Sequence, residues 1–396
     1  MSPNVPSYRS AVPLAQGCDW SPIYGDTATQ NFAFPEANAT YWQASPPQSG
    51  TAGMQVRIDG QFPNARYFSI SLYDSGWKLI GALSDYQLQT QTGTKPTAGR
   101  TQADASTAAG QPYTAFIVFG APPASPAANT LYVPPQSTLF GPVPASSQHL
   151  YLLYRVYMPY GSTASGDVPL PTLTVGGQPL STLVQTAACQ DTASQELQNA
   201  LYAVNSPPGQ APFGAPQAPS FSVFNGAGAA VNGDNRYMSA TLGLPAGYLY
   251  IVRGKAPSFT SSATVPAGSA ANVRYWSICQ DTSTSTEVVG CVGDRQAVLD
   301  SGGYYNVAVT VQSTAPAGAD AAHGFNWMPF GPQSPGAVIY RQMLAAPGFQ
   351  GAIGSGGMGS YAPQIVYCRV ATFQTLAAAY PKSPDQVFKG CGGTLN

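Results

Sequence analysis

The chain of 396 residues is long enough for two domains, and it is unusually poor in charge, with 8% charged residues and a net charge of −1, whereas about a quarter of the residues of a soluble protein are charged. Its 44% apolar residues separate it from disordered chains, which combine low hydrophobicity with high net charge. The basic residues are scattered, so we expect no nucleic-acid partner, and no window reaches about 18–20 apolar residues, so we expect no integral membrane segment.

Residues 1–37 are predicted to form an N-terminal arm. The first twenty, MSPNVPSYRSAVPLAQGCDW, lack the basic start and apolar stretch of a secretory signal. An even set of cysteines without metal-ligand spacing is nevertheless typical of exported proteins with disulfides. The set is Cys18, Cys189, Cys279, Cys291, Cys368 and Cys391. We therefore expect an extracellular or periplasmic protein whose signal has been removed and Met1 added. A cytosolic protein with six buried thiols is the alternative.

Residues 38–180 are predicted to form a first β unit. In MQVRIDG, the apolar residues Met54, Val56 and Ile58 alternate with polar ones, as in half-buried strands. Further strands are predicted in YFSISLY, TAFIVFG (114–120) and LYLLYRVYM (150–158), each bounded by turn residues.

Residues 181–232 are predicted to form a helix, SQELQNALYAVN (194–205), and a linker rich in Pro, Gly and Ala. Residues 233–396 are predicted to form a second β unit with a C-terminal extension. Its clearest strands are YLYIVRG (248–254) and YYNVAVTVQ (304–312). Weaker patterns predict short helices at 341–353 and 372–380.

The two predicted units repeat four patterns in the same order. The equivalent residues are Gly60 and Gly254, Arg66 and Arg274, Asp85 and Asp294, and Arg155 and Arg341. The spacing between equivalents changes, which places the length differences in surface loops. The sequence therefore predicts a mainly β protein with two related antiparallel β-sandwich-like units from internal duplication and a few short helices. Two sandwiches joined face to face and one continuous pair of packed sheets both fit this pattern.

Several stretches resemble a group of uncharacterised exported bacterial proteins. They include ARYFSISLYD, GALSDYQL and LLYRVYMP in the first unit, and GCVGDRQAVLDSGGYYNVAV and VIYRQMLAAPGF in the second. The first phrase is also similar to the strand motif of a widespread β domain of unknown function in bacterial envelope proteins. The resemblance covers most of the chain from about residue 38. It implies export and a β-rich fold, and it brings no activity or catalytic residue.

The repeated charged residues are expected to be structural. Arg66 begins one strand and Asp85 lies on the next predicted strand, so we expect them to meet across a hairpin. Arg274 and Asp294 are expected to repeat this ion pair. Arg155 and Arg341 are expected to extend the two ion pairs. A catalytic dyad is the alternative interpretation.

Cys279 and Cys291 flank QDTSTSTEVVG, a turn-rich stretch that can form a hairpin, and we predict a disulfide between them. The sequence leaves the pairing of the other four cysteines open. We expect no metal site, because the two histidines, His149 and His323, have no ligands at suitable spacing. No nucleotide-binding motif is present, and we expect no cofactor.

Aromatic residues near turns are the remaining candidates for function, because rings of this kind can stack on a sugar or another apolar face. The candidate binding residues are Trp327, Phe330, Trp77, Tyr86 and Trp42. Core packing is the alternative for each of them. We also expect a ligand site to use segments that the units do not share, namely 88–112, 205–233 and 323–331.

Together these patterns favour an exported non-catalytic protein that binds a carbohydrate or a small apolar molecule, or that serves as an envelope or surface component. The alternative is an extracellular hydrolase that uses carboxylates in a cleft between the units.

Overall fold

The structure, a computed structural model, describes residues 19–25, 31–46, 53–74, 76–95, 101, 104–134, 150–180, 219–224, 230–259, 271–332 and 335–395. The predicted helix 194–205, Cys18, Cys189, His149 and most of the predicted linker lie outside the described residues.

The first unit contains ten strands among its described residues. They are β1 (Ser21–Tyr24), β2 (Ala39–Ala44), β3 (Gln55–Gln61), β4 (Ala65–Tyr73), β5 (Leu79–Ser84), β6 (Pro112–Phe119), β7 (Thr130–Val133), β8 (Tyr151–Pro159), β9 (Thr172–Val175) and β10 (Gln178–Pro179). The order β1-β2-β8-β4-β5 forms one sheet, called inner sheet 1. The order β10-β9-β3-β6-β7 forms the other, called outer sheet 1. Strand β1 comes from the predicted N-terminal arm.

The second unit contains nine described strands. They are β11 (Ser222–Phe224), β12 (Asn235–Leu242), β13 (Tyr248–Lys255), β14 (Tyr275–Thr282), β15 (Val288–Gly293), β16 (Tyr304–Thr310), β17 (Asn326–Pro329), β18 (Gly336–Met343) and β19 (Gln364–Arg369). Inner sheet 2 has the order β11-β12-β18-β14-β15, and outer sheet 2 has the order β17-β16-β13-β19.

The two units share one strand order. In the inner sheets, β2-β8-β4-β5 corresponds to β12-β18-β14-β15, and in the outer sheets β9-β3-β6-β7 corresponds to β19-β13-β16-β17. Even the exceptional parallel pair, β6 with β7, recurs as β16 with β17. The predicted mainly β fold with two sandwich-like units is therefore confirmed.

Each unit has its own core between its two sheets. In β4, Phe68, Ile70 and Leu72 point toward outer sheet 1, where they pack in one buried cluster with Val56 and Ile58 of β3. The alternation of residues along these strands thus gives the inner sheet two faces. One face packs in the core of its unit, and the other, the second face, points away from that core.

The repeated glycine marks a close approach inside each core. A Cβ atom at Gly60 would overlap the buried ring of Tyr113, and one at Gly254 would overlap Tyr305 in the same way. The two units therefore pack an equivalent tyrosine against an equivalent glycine.

Helices are few and short among the described residues. Helix α1 (Val370–Ala379) confirms the prediction at 372–380, and helix α2 (Pro384–Gly390) follows it. Three 3-10 turns lie at Ala105–Ala108, Ala321–His323 and Gly359–Tyr361. The helix predicted at 341–353 is wrong, because β18 runs to Met343 and pairs with strands on both sides. No helix in the described part of the chain is long and apolar enough to cross a membrane.

Candidate functional site

The inner sheets of the two units face each other. Their second faces carry a buried, tyrosine-rich cluster in which Tyr67 and Tyr157 of inner sheet 1 pack with Tyr275 of inner sheet 2. The ring centroids of Tyr157 and Tyr275 are 5.9 Å apart. Two sandwiches are thus joined face to face, with the inner sheets in the middle of four layers.

Two segments cross between the units at this junction. Residues 31–38 lead into the first unit but bind the second, since Asn31 Nδ2 donates to the carbonyl oxygen of Val288 over 2.8 Å. Residues 230–234 lead into the second unit but bind the first, since Tyr73 Oη donates to the carbonyl oxygen of Val231 over 2.7 Å. We call these residues the two crossing segments.

The ion pairs are exchanged between the units. Nη1 of Arg66 lies 2.6 Å from the Asp294 carboxylate, and Nη1 of Arg274 lies 2.6 Å from the Asp85 carboxylate. The expectation that each arginine would pair within its own unit is therefore wrong. The physical reason is the reciprocal contact of the inner sheets, which places the strand start of one unit beside the strand-end turn of the other.

Both exchanged pairs are shielded from water, with all four side chains at most 1% exposed. Burial raises the pKa of the Asp85 and Asp294 carboxyls to about 6, and the arginine contact, which lowers it, keeps each carboxylate ionised at neutral pH. Breaking such a pair leaves an unpaired buried charge.

Between the inner sheets and the crossing segments lies a cavity of about 270 Å³, which we call the junction cavity. Apolar side chains such as Ile23, Phe32, Leu153 and Ile339 supply much of its wall. Other lining residues, including Phe224, are exposed at its edge, so the cavity is open to solvent.

Arg155 and Arg341 line the junction cavity from equivalent central positions of the two inner sheets. Arg155 in β8 is flanked by Tyr41 of β2 and Ser69 of β4. In the second sheet, Arg341 in β18 is flanked by a tyrosine and a serine in the same way, Tyr237 of β12 and Ser277 of β14.

Each of these arginines binds one crossing segment. Nη2 of Arg155 donates to the carbonyl oxygen of Ala230 over 2.6 Å, and Nη2 of Arg341 donates to that of Phe34 over 2.7 Å. The other terminal nitrogen, Nη1, has no hydrogen-bond partner in either residue. Neither arginine extends the Arg–Asp pairs as expected, because both guanidinium groups bind the crossing segments and line the cavity. Arg341 does form a buried ion pair, but with Glu36.

Two buried acids lie on the Arg341 side of the junction. Glu36 Oε2 is 3.7 Å from Arg341 Nη1 and accepts a hydrogen bond from the Ser277 hydroxyl. Neither carboxyl oxygen of Asp281 has a hydrogen-bond partner. Burial raises the pKa of Asp281 to about 8, although Arg341 acts to lower it.

The raised pKa of Asp281 predicts a pH-dependent stability. The folded protein holds this proton up to about pH 8, whereas the unfolded chain releases it near the usual pKa of 3.8. The stabilisation is therefore complete below about pH 4 and is lost as the pH rises toward 8. Between pH 6.5 and 8, the free energy of unfolding should fall by up to about 1.4 kcal/mol per pH unit.

Urea unfolding at several pH values checks this prediction. Asp281→Asn should flatten the curve between pH 6.5 and 8, while Asp385→Asn at the surface of helix α2 should keep the native slope. Equal slopes for the native protein and Asp281→Asn would show that Asp281 does not hold the proton.

None of the five aromatic residues proposed from sequence lines the junction cavity. Trp42 and Phe330 are buried in the two sandwich cores. Trp77 is buried against Tyr151, with ring centroids 4.1 Å apart. Tyr86 donates a hydrogen bond to Asp234, and the half-buried Trp327 donates one from Nε1 to the hydroxyl of Thr310. Trp42, Phe330 and Trp77 are therefore core residues rather than exposed rings.

The disulfide predicted between Cys279 and Cys291 is present and joins β14 to β15. A second disulfide, Cys368 to Cys391, ties the end of β19 to the residue after helix α2. The four cysteines of these two disulfides therefore have no free thiol group.

Sequence reasoning missed the cavity residues Tyr157 and Tyr237 and the first crossing segment, residues 31–38, whereas residues 230–232 of the second lie in the predicted segment 205–233. One signal was available, because a single arginine interrupts the apolar strand LLYRVYM and another takes the same place in VIYRQML. A charge in the centre of an inner strand must be buried, and a buried charge needs a partner.

No protein-family model matches the chain, and no curated protein sequence matches it. Among solved structures, an uncharacterised protein from Burkholderia cenocepacia is similar over 91% of this chain and 84% of its own, with 13% identity and a TM-score of 0.51. A protein from Vibrio parahaemolyticus is similar over 84% of this chain and 89% of its own, with 14% identity and a TM-score of 0.41. The Burkholderia likeness shows a shared fold and brings no activity.

Proposed function

We propose that this is a non-catalytic ligand-binding protein whose site is the junction cavity. The observation that carries the proposal is an apolar, solvent-open cavity with two polar groups, Arg155 Nη1 and Arg341 Nη1, that have no hydrogen-bond partner among the described residues. Ligand sites are commonly clefts between structural units, with apolar walls and a few polar groups.

The lining favours a small apolar molecule over a carbohydrate. Ile23, Phe32, Leu153 and Ile339 offer no hydrogen bonds to sugar hydroxyls. The tyrosine rings of the wall, including Tyr41 and Tyr157, provide flat apolar faces with polar tips.

The alternative function, hydrolysis by carboxylates between the units, has less support. No carboxylate among the described residues lines the junction cavity. The nearest acids on the Arg341 side, Glu36 and Asp281, are fully buried behind it. A general acid or base must reach its substrate within hydrogen-bond distance, so binding is the better interpretation.

We further propose that the two units arose by internal duplication. Support comes from the shared strand order and from equivalent contacts at equivalent positions. The backbone nitrogen of Glu36 donates to Tyr41 Oη over 3.1 Å, and the backbone nitrogen of Asn232 donates to Tyr237 Oη over the same distance.

Export to the periplasm or the extracellular space is also proposed. The disulfides Cys279–Cys291 and Cys368–Cys391 support it, because disulfides persist in oxidising compartments and are rare in the cytosol. The binding role applies equally to a free protein and to one held at the cell surface.

The neutral fluorescent probe N-phenyl-1-naphthylamine tests the proposed binding function. We expect one saturable site, seen as increased probe fluorescence. Ser239→Trp should weaken binding at least about tenfold, because Ser239 lines the cavity and an indole would occupy its volume. Thr172→Trp, at an exposed position of outer sheet 1, is the matched control and should bind like the native protein. No saturable binding, or equal binding by both variants, would overturn the proposed function.

A further inference from the structure

Arg155 carries a buried charge for which the described residues supply no carboxylate. Its side chain is only 2% exposed, and an arginine cannot escape the cost of burial by losing its proton. No carboxylate in the described part of the chain lies within ion-pair distance of it. Its neighbours are aromatic, with the guanidinium carbon 5.6 Å from the ring centroid of Tyr41 and 5.4 Å from that of Tyr73.

Arg341 differs from Arg155 in its electrostatic surroundings. It has the same backbone contact, and its Nη1 likewise has no hydrogen-bond partner, but the Glu36 carboxylate lies 3.7 Å from that nitrogen. The residue equivalent to Glu36 on the other crossing segment is Asn232, which carries no charge, since the backbone nitrogens of Glu36 and Asn232 donate to the equivalent hydroxyls of Tyr41 and Tyr237. Among the described residues, Arg341 therefore has a carboxylate beside it and Arg155 has none.

An uncompensated charge inside a protein is costly, and an anion that brings its own charge removes that cost. A guanidinium with a free N–H donor is well suited to a carboxylate, and such charge-assisted hydrogen bonds are about twice as strong as neutral ones. The single positive charge of Arg155 matches a monoanion better than a dianion. The apolar and tyrosine-rich wall matches a flat apolar body attached to that anion.

We propose that the junction cavity binds a small organic carboxylate with a flat apolar body. The carboxylate receives a hydrogen bond from Arg155 Nη1, with Arg341 Nη1 as the second donor, and the apolar body lies among the rings of the cavity wall. This proposal rests on the proposed binding function and adds the charge and chemical class of the ligand.

Three naphthalene probes with the same apolar body and different charges show how much of the binding depends on the charge of the ligand. Isothermal titration calorimetry at pH 7 compares 2-naphthoate, its neutral isostere 2-naphthamide and the dianion 2-naphthyl phosphate. We expect 2-naphthoate to bind at least about tenfold more tightly than 2-naphthamide, the usual scale of a hydrogen bond to a charged group. We also expect 2-naphthyl phosphate to bind more weakly than 2-naphthoate.

Variants of single arginines show which side chain causes the preference for 2-naphthoate over 2-naphthamide. Arg155→Met should reduce the ratio of the naphthoate and naphthamide affinities to about one, while Arg341→Met should reduce it less. Arg57→Met, at an exposed arginine of β3, should keep the native ratio. If Arg155→Met does not fold, Arg341→Met decides by any reduction of the ratio relative to Arg57→Met.

The outcomes distinguish this proposal from the binding function. Equal affinities for 2-naphthoate and 2-naphthamide, with saturable N-phenyl-1-naphthylamine binding, would overturn the carboxylate proposal and leave the binding function standing. Tighter binding of 2-naphthyl phosphate would also overturn it, in favour of a dianion. Loss of saturable binding for all the probes would overturn both.

Discussion

Arg274→Ala is expected to lower the free energy of unfolding by about 3–5 kcal/mol, because it leaves the Asp85 carboxylate buried without its counter-charge. Arg66→Ala should have a similar effect through Asp294. The pairs join the two units, so the loss should lower the cooperativity of unfolding as well as its midpoint. Chemical denaturation followed by tyrosine and tryptophan fluorescence measures both quantities.

Arg57→Ala is the matched control for this result. Arg57 forms an ion pair with Asp59 at the surface, and exposed pairs contribute little to stability. A stability change for Arg274→Ala no larger than that of Arg57→Ala would contradict the exchanged ion pairs.

Trp42→Ala is expected to cost about 3–5 kcal/mol of stability, because it empties a large volume in the core of the first unit. Trp42 packs there against Tyr154, with ring centroids 5.7 Å apart. Thermal unfolding of Trp42→Ala tests whether the ring is a core residue. N-phenyl-1-naphthylamine titration of the same variant tests whether the ring contacts the ligand.

Trp327→Ala is the comparison. Because Trp327 is only half-buried, its replacement should lower the stability of the protein less than Trp42→Ala does. A Trp42→Ala protein of native stability that had lost probe binding would restore the interpretation of Trp42 as a ligand contact.

The fold class could be predicted from the sequence because the spacing of apolar residues along a strand is a local pattern. Phe68, Ile70 and Leu72 fall at every second position, and each faces the sandwich core. The equivalence of Arg155 and Arg341 was also visible, since both interrupt apolar strands of similar sequence. Local patterns of this kind report which face of a strand is buried.

The partners of the arginines were not visible in the same way. Arg66 and Asp85 are close along the chain, and a local interpretation joined them. The structure joins each to the other unit instead, because sequence patterns carry no information on how two sheets with similar faces are placed against each other.

The candidate site escaped sequence analysis for a related reason. We expected a ligand site in segments that the units do not share, namely 88–112, 205–233 and 323–331. Of these, only 205–233 contributes to the junction cavity, through Phe224 and residues 230–232, and most of the other lining residues belong to strands that the units share. One difference between the units, Asn232 at the position equivalent to Glu36, leaves Arg155 without the carboxylate that lies beside Arg341.

A crystal structure of the protein with 6-bromo-2-naphthoate would show where the carboxylate ligand binds. We expect an anomalous bromine peak inside the junction cavity, with the carboxylate within hydrogen-bond distance of Arg155 Nη1. A bromine peak beside Trp327 or elsewhere on the outer sheets, with no ligand between the inner sheets, would contradict it.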